Sequence, residues 1–248
     1  MSNSLKINSI GLLGFGAFGR IIHHHIKDFC PVQVHDPHVE GSCDIKTVAR
    51  CDLIILAVPV QQMAHTILQI KPFLRPGQIV LDVGSVKIKP VEVMTQHLPE
   101  FVEIIATHPL FGPQSAKDGV AGHKMVLCPV RGESWKALTV FLKRKLTLNV
   151  IVQSADQHDR DMALVQGMTH MVAQILHRLE PFPTELTTPS FDLMCQALEM
   201  VRDDSANVFQ AIERDNPHAK TVRLQFFEMT KAVLAEIDQP DQTRSLAG

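Results

Sequence analysis

A histidine, a serine followed by a lysine, and a glycine-rich turn each come directly after a short apolar run in the first half of this chain. His108 stands in Thr107-His108-Pro109-Leu110-Phe111-Gly112-Pro113, after the run 102–106. Ser85 and Lys87 stand in Asp82-Val83-Gly84-Ser85-Val86-Lys87, after 79–83, and Val58-Pro59 close the run 52–58. Gly14-Phe15-Gly16-Ala17-Phe18-Gly19 follows 7–13. An imidazole is a base near neutral pH, and a serine hydroxyl donates and accepts at once. His108 and Ser85 are therefore the candidate pair for proton transfer. In open parallel sheets ligands bind beyond the carboxyl ends of the strands, where all four segments belong if the runs are strands.

The elements that would place them there can be read from the pattern. G-x-G-x-x-G between a strand and a helix suits a dinucleotide pyrophosphate. Gly14 permits the tight turn, Gly16 lets backbone approach the phosphates, and Gly19 lets helix pack on strand. A second strand, 32–35, ends at Asp36, about 20 residues past the glycines, where a carboxylate would take the adenosine ribose hydroxyls. Asp36 would repel a 2′-phosphate and no arginine follows it, so NAD is expected over NADP. Gly14 to Gly19, Asp36, Val58, Pro59 and Ser85 form the expected cofactor-binding set.

Strands are expected over 52–58, 79–83, 102–106, 124–128 and 149–152, with helices over 60–70, 91–98 and 135–146. Repeated β-α-β units imply a parallel sheet with right-handed crossovers. The expected fold is α/β, a Rossmann-type doubly wound parallel sheet over 1–152 followed by a smaller all-helical domain over 153–248. Ser154 to Gln157 reads as a capping box opening a helix that runs to about Leu179, where Pro181 and Pro183 end it. Further helices are expected over 191–201, 205–213 and 220–237, then a polar, frayed tail from Asp238. The helical domain is small for an independent core. Its apolar positions Met162, Val165, Met168, Val172, Ile175 and Leu179 point to homodimer packing as well as internal packing.

Composition narrows the class. The chain has 248 residues, 45% hydrophobic and 20% charged, with a formal charge of −2. That balance gives no electrostatic reason for nucleic acid or membrane partners. No stretch approaches the roughly 20 apolar residues of a spanning helix, and the start of the chain does not read as a secretory signal. Five scattered cysteines without C-x-x-C argue against a disulfide framework or zinc site and for a cytoplasmic setting. His23-His24-His25 point about 100° apart on a helix and cannot converge on one ion, so no metal is expected.

These motifs together resemble the prephenate/arogenate dehydrogenase family. The matching stretches are Gly14 to Gly19, Asp82 to Lys87, Thr107 to Gly119, His158-Asp159-Arg160 and Gln166-Gly167-Met168-Thr169-His170. The long Thr107 block and the His-Asp-Arg element are most similar to plant arogenate dehydrogenases, and the similarity spans about residues 8–215. The resemblance implies oxidative decarboxylation of a cyclohexadienol. Hydride leaves ring C4 for the nicotinamide, His108 takes the hydroxyl proton, and CO₂ departs as the ring aromatises. Ser85 would bridge the substrate hydroxyl, the histidine and the nicotinamide amide. His170 would reach across the interdomain cleft, and Gln114 and Lys117 would help hold substrate. Met200 stands where many bacterial members carry a carboxylate-binding arginine. Asp204-Ser205 resembles the acidic residue and serine of the plant enzymes, and Asp204 could pair with the arogenate ammonium. Two other classes remain open from the residues alone. One is another NAD-dependent reductase of the 6-phosphogluconate dehydrogenase-like superfamily, and the other is a non-catalytic NAD-binding sensor.

Overall fold

The computed structural model describes residues 7–239; the expected frayed tail lies mostly outside them, as does the start of the chain. Seven strands form one sheet in the order β2-β1-β3-β4-β5-β6-β7. They are β1 (Ile10–Leu13), β2 (Val32–His35), β3 (Leu53–Leu56), β4 (Ile79–Asp82), β5 (Glu103–Pro109), β6 (Lys124–Arg131) and β7 (Asn149–Val152). Strands β1, β3 and β4 are buried along their whole length, as expected for continuous apolar runs covered on both faces. One face packs Leu13, Ile54, Leu56, Met63, Ile67, Val80 and Ile104; the other packs Leu12, Ile55, Leu81, Ile105 and Leu127.

The helices of this half are α1 (Ala17–Ile26), α2 (Ile45–Ala49), α3 (Val60–Ile70), α4 (Ile88–His97) and α5 (Trp135–Lys145). The short α2 is absent from the sequence pattern; Asp44 caps it by accepting from the Lys46 N–H at 3.1 Å. Strands β2, β1, β3, β4 and β5 run parallel, as expected, but β5 and β6 pair antiparallel. The segment 110–123 between them forms no helix, so the chain returns without a crossover, which antiparallel pairing permits. Helix α5 then carries the chain to β7, parallel to β6.

From Ala155 the described chain is helical: α6 (Ala155–Met162), α7 (Met168–Leu176), α8 (Pro189–Arg202), α9 (Ala206–Gln210) and α10 (Ala219–Ile237). The long helix expected from Ser154 to Leu179 is instead interrupted by a π turn over Ala163–Gly167, and a second π turn spans Ala211–Asp215. π turns occur frequently at functional sites. Half of the expected capping box forms. Ser154 accepts from the Gln157 N–H at 3.1 Å, but the Gln157 amide donates to Asp161 rather than reaching back. Among the expected apolar positions, Met162 is buried, while Val165 and Leu179 are 61% and 65% exposed. No helix among the described residues is long and apolar enough to cross a membrane.

Glycine tightens the sheet at Gly11 as well as at the first turn. A Cβ there would sit 2.4 Å from the Val48 carbonyl oxygen, which belongs to α2. Gly11→Ala is expected to lower the unfolding free energy by about 1–3 kcal/mol, the usual range for overpacking, measured by urea denaturation.

Candidate active site

The first turn is built for close approach. Gly14 has φ +95°, and a Cβ on it would meet the Ala57 carbonyl oxygen at 2.4 Å. A Cβ on Gly19 would meet the Gly14 carbonyl oxygen at 2.4 Å, so helix and turn pack without a side chain between them. Gly16 faces open space, where a Cβ would meet no heavy atom within 4 Å. Asp36 closes the far side. Its carboxylate accepts from the Phe15 N–H at 2.7 Å and the His38 N–H at 2.9 Å. Burial works against its charge, but those two donors together with the nearby His38 and His35 side chains outweigh burial and hold its pKa below the usual carboxylate value. The open glycine edge and the ribose-side carboxylate fit a dinucleotide, and Ala17 and Phe18 open α1 beside them. Val58 and Pro59 lead from β3 into α3, half-buried on the same edge as the glycine turn.

The ends of β4 and β5 are joined by one buried carboxylate. Asp82, fully buried, accepts from the Gly84 N–H at 2.8 Å and from the Thr107 N–H at 3.1 Å. The ammonium of Lys87, also fully buried, donates to Asp82 and to the Thr107 carbonyl. The Thr107 hydroxyl donates to the Asp82 carbonyl. Ser85 and His108 each follow a residue bound to Asp82, which places them on neighbouring strand ends. Ser85 is half-buried, and its hydroxyl makes no hydrogen bond among the described residues.

His108 is 4% exposed. Its Nδ1 lies 2.9 Å from His158 Nε2, and His158 Nδ1 lies 2.8 Å from Asp159 Oδ1. Asp159 in turn accepts from the Lys87 N–H at 2.7 Å and the Ile88 N–H at 2.9 Å, the first donors of α4. Burial, then the neighbouring His158 and Lys87, push His108 well below the ordinary histidine value. His108 Nε2 has no partner among the described residues and is not a sealed atom, so it is the free nitrogen of the ring. The sequence pattern contained His158, Asp159, Asp82 and Lys87 as parts of motifs but gave no reason to link them. Only folding brings α6 onto the start of α4.

A second group of polar side chains lies in the helical segment. His170, expected to reach the substrate, uses both nitrogens within that segment. Nδ1 lies 2.9 Å from the Gln166 carbonyl oxygen, and Nε2 lies 2.8 Å from Asp204 Oδ2. Burial would lower its pKa, but the bond to Asp204, the Gln166 carbonyl and the charges of Asp204 and Glu213 raise it overall. Gln114 lies close by, donating to Asp203 at 3.3 Å and so bridging the β5–β6 segment to the end of α8. Lys117 lies elsewhere. It lines a recess of about 510 Å³ with Arg20, His24 and Asp118, on the α1 side. Met200 is 58% exposed on α8.

The His170–Asp204 pair has a pH signature. A histidine whose pKa is raised on folding contributes stability that is complete below its unfolded value of 6.5 and fades as pH rises through the folded value. Urea denaturation of Asp204→Asn against the parent is expected to show a larger loss of stability below pH 6.5 than in alkaline solution.

Comparison with known proteins agrees with this geometry. The model of the prephenate dehydrogenase nucleotide-binding domain matches residues 30–154, half of the chain. A probable arogenate/prephenate dehydrogenase of Methanocaldococcus jannaschii is 26% identical over 209 residues, covering 80% of this chain and 46% of that protein. Chloroplastic arogenate dehydrogenase 2 of Arabidopsis thaliana is 26% identical over 247 residues, covering 88% of this chain and 66% of that protein. The chain thus spans less than two thirds of the length of either relative. In fold it is similar to a crystal structure of prephenate dehydrogenase from A. aeolicus, described in complex with hydroxyphenyl propionate and NAD+. The TM-score is 0.73 at 20% identity, over 95% of this chain and 92% of that one. With the matched half holding the His108 segment and the Asp82 to Lys87 segment, the chain belongs to the prephenate dehydrogenase family.

Proposed function

We propose that this chain oxidatively decarboxylates arogenate, prephenate or both with NAD, a step of tyrosine biosynthesis. The observation that carries this reading is His108, buried and held from its Nδ1 side, with Nε2 left free on the sheet that carries the glycine turn. Gly14, Gly16, Gly19 and Asp36 would hold the dinucleotide; when bound, its nicotinamide supplies the hydride acceptor. His108 Nε2 takes the proton of the substrate hydroxyl. Its lowered pKa favours the neutral ring, the form able to accept. Ser85, with an unengaged hydroxyl, would orient that same substrate hydroxyl. Loss of the ring carboxylate as CO₂ aromatises the ring and leaves its electron pair on the ring oxygen as a phenolate, to which protonated His108 would return the proton.

The acidic pair of the helical segment would favour an ammonium. Asp203 and Asp204 both stand there, one bonded to Gln114 and one to His170, and 32% of the Asp204 side chain remains exposed. A substrate amino group would find a carboxylate whose position His170 fixes, which supports use of arogenate at least as well as prephenate. In this reading His170 acts through Asp204 and Gln114 lines the entrance, while Lys117 stands back from the substrate.

We further infer a division near residue 152, a cytoplasmic location and a homodimer formed through the helical segment. The dimer is supported by large apolar side chains left exposed there, including Leu186, Leu193, Phe227, Leu234 and Ile237. Sedimentation of the purified chain is expected to give twice the 27.6 kDa chain mass; a monomer would remove this part of the proposal.

The direct test follows absorbance at the NADH band with arogenate and prephenate, each crossed against NAD and NADP. Turnover with NAD is expected. In His108→Asn, kcat should fall by about 10²–10⁴-fold, the usual share of a general base, while NAD affinity holds. The parent kcat should stay level as pH drops through 6.5, the ordinary histidine value, and decline only at clearly lower pH. Asp204→Asn should shift the arogenate-to-prephenate ratio of kcat/KM toward prephenate; an unchanged ratio would remove Asp204 from substrate selection.

A further inference from the structure

We infer that Asp159, acting through His158, fixes the tautomer of His108 that leaves Nε2 as the proton-accepting atom. This rests on the role proposed above for His108, and for a neutral His158 the bonds impose it. Asp159 receives two backbone N–H groups at the start of α4, one on each oxygen, at 2.7 and 2.9 Å. A helix N-terminus favours the charged carboxylate, which can only accept. The 2.8 Å contact to His158 Nδ1 therefore has the proton on His158 Nδ1. A neutral imidazole with a proton on Nδ1 has its lone pair on Nε2. His158 Nε2 must then accept across the 2.9 Å contact, so the proton there sits on His108 Nδ1. The lone pair of neutral His108 is left on Nε2, the nitrogen without a partner.

The arrangement extends by one ring the logic by which a buried carboxylate sets the tautomer of a catalytic imidazole. It also answers an electrostatic problem. His108 becomes a buried cation when it takes a proton, with the Lys87 ammonium close enough to oppose it. The other charged groups in this interior network are Asp82, engaged by Lys87, and Asp159, which reaches His108 only through His158. As His108 gains its proton on Nε2, its Nδ1–H bond to His158 becomes charge-assisted, and Asp159 steadies that charge from one ring away. His158 and Asp159 are 0% exposed, so water does not compete for these bonds. His158, fully buried behind His108, is a positioning residue.

The primary test is imidazole ¹⁵N NMR of the full-length protein with NAD bound, the His108 and His158 signals assigned by their disappearance in His108→Asn and His158→Gln. Above neutral pH both rings are expected as the Nδ1–H tautomer, the minority form of free imidazole. A proton on His108 Nε2 would overturn the inference, and this readout stands whether or not arogenate or prephenate is the substrate. Kinetics supply the second arm. His158→Leu removes the acceptor and should lower kcat by about 10²-fold or more with KM for both substrates changed less than about threefold. His158→Gln, whose amide oxygen can accept from His108 Nδ1–H, should recover part of that loss. A folded His158→Leu with the parent kcat, or a loss confined to KM, would also overturn it.

Discussion

A single carboxylate with no access to water organises the chemical edge of this protein. Asp82 is charged, buried and placed at the end of a strand, a costly arrangement unless its lone pairs are filled. They are filled by the Gly84 and Thr107 N–H groups and by the Lys87 ammonium. Each partner is one or two residues from a group with chemical work to do. Gly84 precedes Ser85, and Thr107 precedes His108. Lys87 opens the helix that Asp159 caps. Satisfying one charge therefore fixes the ends of two neighbouring strands and the start of α4.

The helical segment is tied to the same place by bonds rather than by a broad apolar interface. Asp159 reaches α4, the Asn216 amide donates to the Asp159 carbonyl at 2.8 Å, and Gln61 of α3 donates to Asp215 at 2.8 Å. A small apolar cluster of Val60, Val86 and Ala211 sits between. Ala211, Asp215 and Gly167 all lie in π turns, whose wider backbone lets the helices change direction where they meet the sheet edge. Few apolar contacts with several directed bonds give a junction specific in orientation.

Much of the sheet half was legible in the sequence because its signals are local. The glycine spacing, the unbroken apolar runs and the carboxylate after the second strand are read within a few residues, and β2, α3 and β7 fall at their expected bounds. The reversal at β6 was not legible, because an apolar run carries no mark of direction and only the missing helix in 110–123 hints at it. Helix α2, with five residues, is too short for a period to show. The interruption at Ala163–Gly167 left the apolar spacing nearly intact, so one long helix was the natural reading. At the site, single residues were legible and their partnerships were not. His108 and His158 are 50 positions apart, Lys87 and Asp159 are 72 apart, and no spacing rule links such pairs. His170 shows the same limit: its type suggested a reach for substrate, and no spacing announced its bonds to Gln166 and Asp204.

The central claim is that this buried network holds His108 Nε2 at the position where a ring hydroxyl must lose its proton. A crystal structure of the chain with NAD and a 4-hydroxyphenyl carboxylic acid tests it most directly. The account predicts His108 Nε2 within hydrogen-bond reach of the phenolic oxygen, about 2.6–3.2 Å, with Nδ1 still on His158 and the Asp82 bonds intact. A ligand whose hydroxyl sits against other groups, with His108 turned away from it, would contradict the account.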